Sequence, residues 1–132
     1  MATQPSTLNR MQLRIESAFN AATERLQESQ TALAQAMQDG VALSVSTVER
    51  IFDEEQVLRN WRQVLQVGMK ATTEAELLAG LRTWSEEATE QVMGPGRSHS
   101  TSLVRTAQMH AEEDGIRTVV RTVNRIIEHL QG

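Results

Sequence analysis

KATTEAELLAGLRTWSEEATEQVMGPGRSHST, residues 70–101, holds both a helix start and a helix stop, and the fold is read outward from them. Thr73 stands three residues before Glu76, the spacing of a capping box in which hydroxyl and carboxylate each satisfy an unpaired amide of the first turn. Leu77, Leu78, Leu81, Trp84, Ala88 and Val92 then recur at helical intervals and mark one apolar face. Gly94-Pro95-Gly96 removes a backbone donor and admits positive φ, so the helix ends before it. The spacing predicts a helix over 74–93 and a loop over 94–101.

Upstream, residues 1–5 read as flexible. Ser6 or Thr7 can cap a helix over 7–38 in which Leu8, Met11, Ile15, Phe19, Ala22, Leu26, Leu33 and Met37 fall on one stripe. Phe19, Leu26 and Leu33 share one heptad position, while the adjacent column becomes small through Ala22, Ser29 and Ala36, as in a bundle or coiled-coil seam. Such a helix is about 45 Å long and marginal without partners. Asp39-Gly40 reads as its stop; the competing reading is one continuous helix that tolerates Gly40 at a cost of about 1 kcal/mol. Ser46 with Glu49 makes a second capping box, followed by Val48, Ile51, Phe52, Leu58, Trp61, Leu65 and Met69 on a helix over 47–69. The connection to the 74–93 helix is tight, which makes the two antiparallel neighbours.

Downstream, Ser100 or Ser102 can cap a helix over 102–130 with Leu103, Val104, Ala107 and Ala111 facing inward. The Glu112-Glu113-Asp114-Gly115 run suggests an interruption near Gly115. Beyond it Ile116, Val119, Val120, Val123, Ile126, Ile127 and Leu130 form the most apolar face of the chain. The fold class that follows is all-α and a single domain over 1–132: a four-helix bundle, or long antiparallel helical hairpins that dimerisation would complete.

Composition agrees. The chain has 132 residues, 2 prolines, no tyrosine and 4 aromatic residues in all, which suits helices better than sheets. Cysteine is absent, so thiol chemistry, disulfides and thiolate metal sites are excluded. Net charge is −4 and no dense basic block is present, so nothing points to nucleic acid. Twelve of the 13 basic residues are arginine, which fits the coding bias of a GC-rich bacterial genome. No apolar run approaches the roughly 18 residues of a membrane span, and the N-terminus lacks the apolar core of a secretory signal. A soluble cytoplasmic protein is the expectation.

The candidate interaction residues are Trp61, Trp84, Arg117, Arg121 and Arg125. The three arginines are spaced i, i+4, i+8 on one side of the last helix, flanking its apolar face. They read either as a strip for an anionic surface or acidic partner helix, or as a solvated face paired with Glu86, Glu87 and Glu90. Trp61 and Trp84 read equally as core residues and as interface anchors. His110 and Asp114, one turn apart beside Glu112 and Glu113, have the chemistry of metal ligands, but an acidic run next to glycine reads better as a helix end followed by a helix start. His99 sits in the loop without a local acid partner. No phosphate loop, nucleophile elbow, zinc-binding helix motif or dinucleotide fingerprint is present. The reading is non-enzymatic, with no cofactor and no metal.

From about Phe19 to Ala107 the chain resembles the phasins, small helical proteins that coat bacterial polyhydroxyalkanoate granules. The resemblance lies in the Ala/Gln/Glu-rich amphipathic helices followed by KATTEAELLAGLRTWSEEATEQ, where phasins often have Lys-Ala, then Thr or Pro, then Glu-Leu and a further long helix. It implies a non-catalytic, amphipathic scaffold or surface-coating protein bound to a hydrophobic granule surface. The alternative is a protein-binding helical bundle of a bacterial secretion system, as a chaperone, accessory or effector domain. Either reading implies a homo-oligomer or a partner protein.

Overall fold

Ser6 opens the first helix by accepting a hydrogen bond from the Asn9 amide at 3.2 Å on its side-chain oxygen, one of the four amides that a helix start leaves unpaired. The computed structural model describes residues 6–42, 45–93 and 103–131. Four helices are described: α1 Thr7–Gln38, α2 Val45–Lys70, α3 Glu74–Met93 and α4 Leu103–Gln131. No strand occurs among the described residues. The predicted flexible 1–5 stretch, the 94–101 loop with Gly94-Pro95-Gly96 and His99, and the caps Ser100 and Ser102 lie outside the described residues.

The ends of the helices follow from local chemistry, with two departures from the expected capping. α1 stops at a Schellman turn: Gly40 has φ +69, its amide donates to Met37 O at 3.3 Å, and the Val41 amide donates to Ala36 O at 2.9 Å, so two orphan carbonyls are satisfied. The helix therefore breaks at Gly40. At the start of α3 the Glu76 amide donates to Thr73 Oγ1 at 3.1 Å, as the capping box requires. The Glu76 carboxylate, however, reaches one residue further back and accepts from the Thr72 amide at 2.9 Å and the Thr72 hydroxyl at 3.0 Å. Ser46 does not cap α2, because the helix already begins at Val45. The interruption near Gly115 is also corrected: α4 runs unbroken through it.

Neighbouring side chains set the directions. Trp84 Nε1 donates to Gln63 Oε1 at 3.0 Å and Gly80 lies against Val67, so α3 runs antiparallel to α2. Gly115 lies against Gln56 and Val57, while Ser85 Oγ donates to Asn124 Oδ1 at 2.8 Å, which makes α4 antiparallel to α3 and parallel to α2. α2, α3 and α4 form a three-helix group, and α1 lies along the flank of α2, scarcely touching α4. Gln12 fastens it there: its Nε2 donates to Gly68 O at 2.9 Å and Ala71 O at 3.0 Å, satisfying carbonyls at the end of α2 that have no partner within the helix.

One core joins the four elements. Ile15, Val64, Leu77, Leu81, Val119, Val123 and Ile126 are fully buried, and each such side chain contributes about 1.5–3 kcal/mol of burial. Met11, Leu58, Trp61, Trp84, Ala88, Ile116 and Ile127 complete it.

Candidate functional site

Arg117, Arg121 and Arg125 are all exposed, and helical geometry puts them on the side of α4 opposite Val119, Val123 and Ile126, each 0% exposed. The expected placement flanking the apolar face is thus corrected: that face is turned into the core, and the arginines form a ridge on the far side. Among the described residues no ion pair joins the ridge to Glu86, Glu87 or Glu90, which are themselves exposed on α3. Two like-charge contacts at i, i+4 spacing destabilise an isolated helix by a few tenths of a kcal/mol each, so the ridge is not there for the stability of α4.

Trp61 and Trp84 are 5% and 7% exposed. The structure puts both in the core, not on a surface where they could anchor a partner. Trp84 satisfies its indole N–H on Gln63 across the α2–α3 seam, as a buried indole requires.

The stripe of α1 is unevenly covered. Its first half is core, with Met11, Ile15 and Ala22 buried. Leu26 is half-buried against the edge of that core, and Leu33 is half-buried beyond it. Met37 and Val41 are 64% and 59% exposed. The cause is architectural: α2 is the main neighbour of α1, and the α3–α4 pair packs on α2 from elsewhere. One apolar seam is therefore half open over the last three turns of α1.

An acidic group missed by the sequence reading forms where α2 meets α4. Asp53 has its carboxyl pushed above the usual range by burial, and further by the charges of Asp114, Glu49 and Glu54. One oxygen of Glu54 is buried without a hydrogen-bond partner. No local signal links Asp53 to Asp114; only the close approach of the two helices brings them together. Among the described residues no three His, Asp or Glu side chains are gathered as metal ligands would be, and His110 is solvent-exposed. A polar crevice of about 240 Å³ lies between α2, α3 and α4, lined by Gln56, Arg59, Asn60, Gln63, Gln91, Glu112 and Ile116. It contains no nucleophile paired with a base in the manner of a catalytic dyad.

No family model matches the chain, and no curated protein or solved structure matches it either. Among the described residues no helix is long and apolar enough to cross a membrane.

Proposed function

We propose that this chain is a non-catalytic helical scaffold that binds a partner through the half-open seam of α1. The observation behind this reading is the gradient along that helix, from Ile15 at 0% exposed to Met37 at 64%. A bundle that needed α1 only for stability would bury the stripe to its end. Leu26, Leu33 and Met37 follow at spacings of seven and four, which is the seam a partner's amphipathic helix fills. A protein-binding bundle of a bacterial secretion system is one setting for such a seam.

The second reading is the phasin-like coat, in which the same stripe lies on a hydrophobic granule. The exposure of Met37, Val41 and Met69 favours it; the complete burial of Val119, Val123 and Ile126 means that α4 would contribute only after the bundle opened. Leu33→Asp with Met37→Asp tests both. The pair abolishes capture of a partner or binding to polyester particles, while Leu13→Asp and the circular-dichroism spectrum stay unaffected. Binding that survives the paired substitution removes α1 from the function.

A further inference from the structure

We propose that the outer face of α3 and α4 is a contact surface for a second copy of this chain, with the acidic residues of α3 set against the arginine ridge of α4. The register comes from one hydrogen bond. Ser85 Oγ donates to Asn124 Oδ1 at 2.8 Å, so these two positions are level on antiparallel helices. With equal rise along each helix, Glu86 is level with Val123, Glu90 with Val119, and Arg82 with Ile127. Arg117, Arg121 and Arg125 therefore bracket Glu86 and Glu90, and Glu128 sits beside the level of Arg82.

All these side chains are exposed, and among the described residues none closes an ion pair within its own chain. Glu87 is set apart, lining the α2–α3 groove with Val67, Thr83 and Trp84. Glu86 follows Ser85 directly, and Arg121 precedes Asn124 by one turn, so both charged rows border the same seam.

A two-fold axis parallel to the helices turns this pattern into a self-complementary one. It lays α3 of one copy antiparallel to α4 of the other at the same level. Glu86 then faces Arg121 and Arg125 of the second copy, Glu90 faces Arg117 and Arg121, and Arg82 faces Glu128; every contact is made twice, as an isologous interface requires. A perpendicular axis in the same plane would set α3 on α3 and α4 on α4, opposing like charges. The charge pattern selects the first arrangement. Exposed pairs add little each, so the association is weak and its register, more than its affinity, comes from charge.

Sedimentation of the full chain tests this, at about 20 mM and about 500 mM salt, where screening differs strongly. A dimer forms at low salt, and its dissociation constant rises about tenfold or more at high salt. Glu86→Arg with Glu90→Arg, and separately Arg117→Glu with Arg121→Glu, each yield a folded monomer, and mixing the two variants restores a one-to-one dimer. Pairing confined within each chain would instead give monomers in every case, with no association on mixing. A wild type that stays monomeric at low salt, or a dimer indifferent to both reversals, overturns the proposal.

Discussion

Gly115 of α4 lies so close to Gln56 of α2 that a Cβ built on the glycine would come within 2.6 Å of the Gln56 Cβ, and within 3.1 Å of its backbone carbon. The obstacle is backbone and the root of a side chain, neither of which can swing aside. Gly115→Ala gains about 1 kcal/mol of helix propensity and forces α2 and α4 apart at this contact, at an overpacking cost of about 1–3 kcal/mol. A net loss of about 0–2 kcal/mol in urea unfolding is expected. A stabilised variant would mean that the two helices separate freely at this level.

Gly40 provides the contrast. A Cβ there meets nothing within 4 Å, yet its φ is +69. Gly40→Ala costs about 1 kcal/mol through backbone strain alone, and Gly40→Asn costs less, because Asn tolerates the left-handed region. Unfolding of the three proteins side by side gives that order. Reversal of alanine and asparagine would indicate that packing, not φ, sets the cost.

These two glycines also mark where the sequence was legible. Ser6, Thr73 and Gly40 carry local capping chemistry, and it sets both ends of α1 and the start of α3. Gly115 sits beside an acidic run, which locally reads as a break; the reason for a glycine there is a neighbour 59 positions away on α2. The arginine ridge could be read as one row from its spacing, and the helical angle from Val119, Val123 and Ile126 already sets it opposite them; which helices cover those residues follows only from the packing of α4 on α2 and α3. Trp61 and Trp84 carried no local signal to decide between core and surface.

Gln12 is the clearest case of a residue whose role no pattern announces. Its amide bridges Gly68 O and Ala71 O, 56 and 59 positions away. Gln12→Ala leaves two part-buried carbonyls without this donor and costs about 1–2 kcal/mol. Gln12→Glu costs at least as much, since a carboxylate turned toward two carbonyls accepts and cannot donate. Denaturation midpoints of the two variants provide the check, and equal stability with wild type would show that water replaces the amide at no cost.

Two carboxyls make opposite pH predictions. Asp53 is raised above 3.8 by burial and by its acidic neighbours, so its favourable contribution is complete below about pH 3.8 and disappears as pH rises through the raised value. Asp53→Asn therefore stabilises the protein at pH 7 and has little effect near pH 3. Glu76 is lowered from 4.5, first by the Thr72 amide and then by the Thr72 hydroxyl. Its contribution is present above pH 4.5 and is lost as pH falls through the lowered value, so Glu76→Gln weakens the protein at pH 7 and becomes neutral in acid. Thermal unfolding across pH 3–7 separates them, and parallel curves for the two variants would contradict both assignments.

The uneven burial of α1 predicts an uneven response to truncation. Ile15 is fully buried in the central cluster, where an alanine leaves a cavity costing about 2–5 kcal/mol. Leu33 lies outside that cluster and keeps part of its surface in water, so Leu33→Ala costs about 1 kcal/mol or less by the area it buries. Amide exchange should follow the same gradient, slow around Ile15 and faster from Leu33 to Gln38, because the later turns have less buried contact to hold them. The comparison bears on function as well as stability: a partner filling the half-open seam would slow exchange over Leu26–Gln38 and leave the Ile15 region unchanged. Equal costs for Ile15→Ala and Leu33→Ala would instead make the distal seam part of the core, and the docking role of α1 would lose its basis.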